Sequence, residues 1–556
     1  MAVISSLPTP SAAVPKTTHE LSSPGLGNES STHWLSPAVY VQLAGPPETS
    51  VYGPPKQQSF FTNGEQHLSR LNEQMSQALE QGPNVRDLSQ SLIDFLHDGQ
   101  SSVHQQLDRY TYQNTGGNWV EPSFNELEIH TVHAKSELSF GLTTQSGDKL
   151  TFKLHYEKGL GSTPRYTDVG YESVAIDFEL EGQLSLAERK EILALADKLN
   201  ALANDYFESG SIDLDSLDLA DLTEVAELSL SLDGGMTEIT SPFSLPYHDK
   251  IDYGLDLKFS DGIESRHIEA VADGNKLSAT LDKLGVVDGY DLERREAALA
   301  KYRQQLVEGV SRARGGDEDR QLLLAAFDAL HGELEEAKDS IELSDDEVAM
   351  LTAVADFRMS YLSRVGTRNP DEARQHQNAR FSLDIAQETQ LHQYTNGNLD
   401  IEQQQSWRLK GTYFGAAPGK SEVNFRSGDQ NYRYHEVQED TQLTTALERR
   451  GGILVSAEQS VEADAKLETL LYQDDQLAKW TTANNHLAEK TNLLALYTDS
   501  SVNPELTLLD SLLLNIDAVY QRSEKSMSEN DPSEAPKYLR GEGPAVFANE
   551  AAQIEA

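Results

Sequence analysis

Val174-Ala-Ile-Asp-Phe-Glu-Leu180 alternates with period two, placing Val174, Ile176, Phe178 and Leu180 on one side and Ala175, Asp177 and Glu179 on the other. That is the pattern of a half-buried strand. Just beyond it the period changes. Ile192, Leu195, Leu199, Leu202 and Tyr206 recur at three and four, behind Ser185-x-x-Glu188, a capping box that starts a helix over 186–207. A strand followed by a capped amphipathic helix implies an α+β domain, with the helix face lying on the strand.

Upstream, Leu138, Phe140 and Leu142 alternate, Ser146-Gly147-Asp148 turns the chain, and Leu150, Phe152, Leu154 and Tyr156 alternate back, which is a β-hairpin. Downstream, Leu228, Leu230 and Leu232 imply another strand, and Ile251 to Phe259 a further one. Residues 66–110 read as polar helices, with Leu68, Leu71, Met75 and Leu79 before a Gly82-Pro83 break and Leu88, Leu92, Ile93 and Phe95 after it.

A helical block follows. Its first helix carries Leu292, Leu299, Tyr302, Leu306 and Val310 and stops at Gly315-Gly316. The second carries Leu323, Phe327, Leu330 and Leu334. The third opens with Ser344-x-x-Glu347 and runs through Val348, Leu351, Ala355 and Leu362. A second β section begins with Phe381, Leu383 and Ile385, followed by Trp407, Leu409 and Tyr413. Helices return over 457–498 and again after Asn503-Pro504, with Leu508, Leu509, Leu512, Leu513, Ile516 and Val519 as the buried stripe.

The ends have a different composition. Residues 1–60 are rich in Ser, Thr, Pro and Gly and read as a disordered arm. Trp34, Leu35, Val39 and Tyr40 form an apolar island in it that can dock on a partner or on the protein's own body. From Ser523 the tail is polar.

The expected fold class is therefore α+β: antiparallel β sections packed with amphipathic helices, a helical middle block and disordered termini. The expected divisions are the arm 1–60, a helical segment 61–115, an α+β domain 116–288, the helical block 289–366, a second β-plus-helix region 367–522 and a tail 523–556.

Composition bounds the function. The chain has 556 residues, 45 basic against 90 acidic, for a net charge of −45. That field repels phosphate backbones and argues against nucleic acid as a partner. There are no cysteines, so disulfides, thiolate metal sites and a cysteine nucleophile are excluded. The N-terminus has no basic segment leading into a continuous apolar run, and no stretch of the chain has the length of a membrane-spanning helix. The expected compartment is the cytoplasm, with leaderless export as the alternative.

Leu142-Thr-Thr-Gln-Ser-Gly-Asp-Lys-Leu-Thr-Phe152, then Asp177-Phe-Glu-Leu-Glu-Gly-Gln-Leu184, then Leu202-Ala-Asn-Asp-Tyr-Phe207, resembles a pattern in uncharacterised proteins of Gram-negative bacteria; Phe381-Ser-Leu-Asp-Ile-Ala-Gln-Glu-Thr389 is similar to the same group. These motifs are a turn, a strand end and a helix. The resemblance implies a bacterial origin and an α+β fold, and carries no activity, cofactor or catalytic residue.

Gly415-Ala-Ala-Pro-Gly419-Lys420-Ser421 lacks the spacing of a phosphate loop, and its sequel Glu422-Val-Asn-Phe-Arg is strand-like, so it reads as a β-hairpin loop. Gly159-Leu-Gly161 is weaker still. His130 and His133 are three apart in a strand and point to opposite faces. His248-Asp249 and His435-Glu436 read as surface ion pairs. Asp213, Asp215, Asp218 and Asp221 cluster, but without the glycine and terminal glutamate of an EF-hand. Asp213, Asp215 and Asp218 are thus a candidate weak cation site set against a simpler reading, a solvated acidic face over buried Leu214, Leu217 and Leu219. No Gly-x-Ser-x-Gly elbow is present. The expected function is a non-enzymatic interaction or structural protein of bacteria with a protein partner and no cofactor. The alternatives are a carboxylate-based hydrolase and a secreted acidic cation-binding surface protein.

Overall fold

The computed structural model describes residues 56–62, 69–81, 89–113, 129–162, 168–209, 214–241, 247–283, 292–332, 343–498, 509, 511–537 and 539–540. The strands are β1 (Lys56–Thr62), β2 (Ser102–Gln113), β3 (Ile129–Thr144), β4 (Lys149–Ser162), β5 (Asp168–Glu181), β6 (Val225–Ser241), β7 (Tyr247–Asp261) and β8 (Ser265–Ala272). They continue with β9 (Asn275–Asp282), β10 (Phe357–Leu362), β11 (Arg380–Gln393), β12 (Leu399–Ala416), β13 (Tyr432–Arg450), β14 (Ile453–Gln473), β15 (Gln476–Asn492) and β16 (Glu524–Asn530). The helices are α1 (Ser69–Gln81), α2 (Gln90–Asp98), α3 (Leu186–Ser209), α4 (Leu292–Arg312), α5 (Asp317–Leu330), α6 (Asp345–Ala349), α7 (Leu493–Thr498) and α8 (Ile516–Arg522).

All the strands belong to one antiparallel sheet of sixteen, in the order β1-β2-β5-β4-β3-β6-β7 and then consecutively to β16. This corrects the expected fold class. There are not two β sections separated by a helical block; the sheet runs unbroken through the whole described chain. Its strands alternate buried and exposed residues, as in Ser265–Ala272, so one face is covered and the other meets solvent.

The β3–β4 hairpin follows the sequence reading. Leu138 faces Leu154, Phe140 faces Phe152 and Leu142 faces Leu150. Gly147 turns the chain at φ 95°, and its N–H donates to the Thr144 carbonyl at 3.0 Å. Helix α3 begins at the Ser185–Glu188 box, where the Glu188 N–H donates to Ser185 Oγ at 3.2 Å and the Ser185 N–H to Glu188 Oε2 at 2.7 Å. Its face of Ile192, Leu195, Leu199 and Leu202 is buried, but its main sheet contacts are with β3 and β6 rather than β5. The covered side of β5 already has neighbours, with α1 against it and Phe95 of α2 at 5.3 Å from Phe178.

The supposed helical block holds two long helices, α4 and α5, and a short third. The Ser344–Glu347 box forms, yet α6 ends at Ala349, and Ala353 turns the chain at φ 63°. Buried glutamines of the sheet then take up the main chain beyond it. Gln403 Oε1 accepts from the Thr352 N–H at 3.1 Å, and Gln387 Nε2 donates to the Val354 carbonyl at 2.6 Å. Phe357, Met359 and Tyr361 alternate in β10, which joins β9 to β11.

The helices expected over 457–498 are mostly strand. β14 and β15 occupy 453–492, and only Leu493–Thr498 is helical. Inward-facing Ala457, Gln459, Val461 and Ala463 recur every second residue. Two-residue turns bound β14, with φ 60° and 82° at Gly451-Gly452 and 49° and 63° at Asp474-Asp475. Both central residues of each turn are left-handed, as tight hairpins require. Asp273-Gly274 makes the same turn between β8 and β9, at φ 49° and 86°. Other expectations also change. The segment 61–115 includes β2. Residues 56–60 of the supposed arm lie in β1, and the tail from 523 supplies β16 and the buried Ala535 and Leu539. The stripe proposed over 508–519 is helical at Ile516–Arg522, where Asn515 Oδ1 accepts from the Ala518 N–H at 2.9 Å, while Asn503-Pro504 lies outside the described residues.

The main core lies between the covered sheet face and the helices. Tyr302 of α4 packs edge-on to Phe357, with centroids 5.2 Å apart. A smaller core sits on the opposite face at the far ends of β12–β15, with Tyr432, Tyr434, Leu470 and Tyr472 under Ala535 and Leu539.

Candidate functional site

Sheet register brings together residues that are far apart in sequence. On the open face one row runs Glu179, Thr151, Gly141, Ser229, Lys258, Glu269 and Ser278 across β5, β4, β3, β6, β7, β8 and β9. The neighbouring row runs Glu181, Lys149, Thr143, Glu227, Ser260, His267 and Thr280 across the same strands. Between them is an open trough of about 540 Å³.

Its floor is low because Gly141 carries no side chain. Ser229 fills part of that space, and a Cβ at position 141 would meet its Oγ at 2.6 Å. The walls carry both charges and several hydroxyls. Lys258 lies 3.7 Å from Glu269, and Thr143 Oγ1 donates to Glu227 Oε2 at 3.3 Å. His267 is bracketed by hydroxyls, with Ser265 Oγ 3.0 Å from Nε2 and Thr280 Oγ1 3.0 Å from Nδ1. A serine beside a histidine invites comparison with a hydrolase triad, but here the group on Nδ1 is a hydroxyl, which does not stabilise an imidazolium as a carboxylate does. The trough is open and solvated, and its charges are exposed, a setting that suits recognition by exchange of ion pairs and hydrogen bonds.

Elsewhere the ionisable groups that the sheet buries are tied into structural contacts. Arg266 makes a bidentate pair with Asp261 at 2.9 and 3.1 Å, Lys283 joins at 2.6 Å, and Arg266 Nη1 also donates to the carbonyls of Ala329 and Leu330 at the end of α5. Burial pushes Asp261 up, but Arg266 and Lys283 outweigh it and hold the carboxyl below its ordinary value. Glu439 accepts from Arg312 Nε at 2.7 Å and Trp407 Nε1 at 3.0 Å. Glu347 receives Arg449 at 3.0 Å. In the smaller core, Asn369, Gln377, Gln430, Tyr432 and Tyr472 form a closed hydrogen-bonded network, and Arg374 lies over the Tyr472 ring at 4.7 Å. Asp356 is pushed up to about 6 by burial, and its two oxygens are taken by the Thr389 N–H and hydroxyl at 2.6 and 2.7 Å.

The residues singled out from sequence are placed as follows. Trp34, Leu35, Val39 and Tyr40 lie outside the described residues, as does Asp213. Asp215 is in a 3-10 turn at Leu214–Leu217. Asp218 has φ 45° and pairs with Lys198 at 2.6 Å, above buried Leu214, Leu217 and Leu219. Among the described residues no group of three or more His, Asp or Glu is arranged to hold a metal ion. His130 and His133 both lie in β3, and His248-Asp249 in β7. His435 stacks on Tyr413 at 4.6 Å and is pushed down to about 4 by burial, with Arg433 and Arg314 adding to the effect. Gly415 and Ala416 end β12, the Lys420 N–H closes a turn onto the Ala417 carbonyl at 3.0 Å, and the chain continues to β13. Among the described residues no helix is long and apolar enough to cross a membrane.

The trough residues carry no local sequence motif. Thr143, Lys149, Glu227, Lys258 and Glu269 meet only through the register of five strands, so the signal lay in alternation and pairing rather than spacing. Comparison of the chain with protein-family models, curated proteins and solved structures gave no match.

Proposed function

We propose that this chain is a non-enzymatic binding protein whose open sheet face receives a polar surface of a protein partner. The observation that supports the reading is the trough over Gly141 and Ser229, walled by Lys149, Lys258, Glu227 and Glu269 on adjacent strands. Its side chains stand on a rigid sheet, so they are held in place before binding, and a partner displaces solvent rather than ordering loops. Their mixed charge favours a partner of alternating sign, in keeping with an acidic chain that repels polyanions. The resemblance to uncharacterised bacterial proteins supports a bacterial origin, and a cytoplasmic setting is the compartment proposed with it.

The test is affinity capture from a bacterial lysate with the full chain and two variants, Gly141→Gln and Lys258→Glu. The first fills the trough floor, and the second reverses a wall charge, both on the open face and away from the core. Partners lost from both variants, with circular dichroism and melting unchanged, support the reading. An unchanged set of partners refutes it.

A further inference from the structure

The last strand, β16, reads Glu524-Lys-Ser-Met-Ser-Glu-Asn530 and pairs with β15 on one side only. Among the described residues no strand pairs with its other side. An unpaired strand edge presents a row of free N–H and C=O groups, and natural edges are commonly shortened, charged or covered to prevent association. Among the described residues this strand stays exposed from Glu524 to Glu529. On β15 only Thr482 is buried, and Met527 of β16 is 80% exposed.

Met527 also ends an apolar row. In register it faces Ala483 of β15, which faces Leu467 of β14, which faces Val437 of β13. Leu467 is exposed, and Val437 and Ala483 are half-buried. The row lies on the helix-bearing face and runs out from the main core to the open edge, so apolar surface reaches the place where main-chain donors and acceptors are unpaired.

The strand is complementary to itself. In antiparallel pairing with a second copy about Met527, Met527 meets Met527 of the other copy, Ser526 meets Ser528, Lys525 meets Glu529 and Glu524 meets Asn530. Both lysines then face carboxylates, both serines face hydroxyls, and the exposed methionines cover each other. Opposite charges across a strand pair stabilise it and like charges oppose it. Lys525 makes no ion pair among the described residues, and Glu529 is held only by Lys479 at 3.2 Å on its own sheet, leaving a carboxylate edge for a second cation. The other edge strand, β1, lacks this symmetry: reversed about Ser59, it sets Gln58 opposite Phe60 and Gln57 opposite Phe61. Pairing β16 to itself is isologous and closes at two copies, whereas pairing β16 to β1 would grow without end.

We propose that two copies of this chain associate through antiparallel β16–β16 pairing centred on Met527, joining their sheets into one. The contact is a single strand pair with an apolar row behind it, so the dimer is a weak, concentration-dependent one.

The test uses sedimentation of the full chain across a concentration series, with three variants. Lys525→Glu sets carboxylates opposite Glu529 at both ends of the pairing, and Glu529→Lys sets cations opposite Lys525. Each is expected to weaken association by about tenfold or more. Mixing the two single variants restores both charge pairs, so a heterodimer forms from chains that associate poorly alone. Met527→Glu abolishes association outright. Circular dichroism of each variant checks that the fold is retained. The proposal is overturned if the wild-type chain remains a monomer, which would mean that the edge is shielded by another part of the chain. It is equally overturned if association survives the charge reversals, or if the mixture shows no gain.

Discussion

Gly309 sits in the last turn of α4, where a reading of propensity alone still recommends alanine. Glycine in a helix interior is worse than alanine by about 1 kcal/mol, so Gly309→Ala would be expected to stabilise. The structure reverses the sign. A Cβ at 309 would stand 2.5 Å from both Cζ2 and Cη2 of Trp407. Carbon contacts are optimal near about 3.5–4.0 Å, so ring or helix must yield by about 1 Å. The ring is poorly placed to yield. It is fully buried, its Nε1 donates to Glu439 at 3.0 Å, and Arg312 both holds the other Glu439 oxygen and lies over the indole at 5.6 Å. Overpacking of this kind costs about 1–3 kcal/mol, and losing a hydrogen bond to a charged acceptor about 1.5–3 kcal/mol more if the indole rotates away. Set against the propensity gain, Gly309→Ala should destabilise by up to about 2 kcal/mol if the indole keeps its hydrogen bond and by about 1.5–5 kcal/mol if it does not. The assay is urea denaturation followed by circular dichroism, with Trp407→Phe as the second arm of a double-mutant cycle. Phenylalanine does not reach the clashing positions, so the alanine that harms the wild type should be neutral or favourable beside it, a coupling of about 1 kcal/mol or more. A Gly309→Ala chain more stable than wild type, or strictly additive effects, would refute the reasoning.

Two further outcomes concern a helix cap and a buried histidine. Ser185→Ala removes the acceptor for the Glu188 N–H, and should lower stability by about 1 kcal/mol, read as a shift in the urea midpoint. His331 is held down to about 3 by burial, with Nδ1 donating to the Phe327 carbonyl at 3.0 Å. Below the unfolded value of about 6.5 the unfolded chain therefore binds a proton that the folded chain refuses, and stability falls as pH drops through that window. His331→Phe should gain about 2 kcal/mol relative to wild type between pH 7 and pH 5; parallel stability curves for the two proteins would exclude a buried neutral imidazole.

Sequence patterning was informative where period and turn agreed. Leu138, Phe140 and Leu142 alternate up to a Ser-Gly-Asp turn and pair as expected, and Ser185 and Glu188 cap a real helix. It misled in β14, where Ser456-Ala-Glu-Gln-Ser-Val-Glu-Ala-Asp-Ala-Lys-Leu-Glu-Thr is composed of residues common in helices. The alternation of Ala457, Gln459, Val461 and Ala463 was weak because alanine and glutamine mark an inward face poorly. The Gly451-Gly452 turn was the better signal, as was Asp273-Gly274 for β8 and β9. Gln387, Gln403 and Gln405 could not be recognised as inward-facing from sequence, since they are buried only because the main chain at 352–354 and 512–514 supplies their partners. The trough was hidden for a related reason. Its residues are ordinary exposed polar side chains until five strands bring them side by side.

The order of the sheet also bears on how the chain is made. After β6 each strand is laid beside the one before it, so a chain emerging from the ribosome can extend the sheet strand by strand, closing one connection at a time. The exceptions are β2, which leaves the exit tunnel before β3, β4 and β5 yet pairs with β5, and β3, whose second edge waits for β6. Beyond β6 the nascent sheet carries one growing edge that the next strand caps. Among the described residues β16 is the last strand to emerge, and none of the described strands pairs with its outer edge.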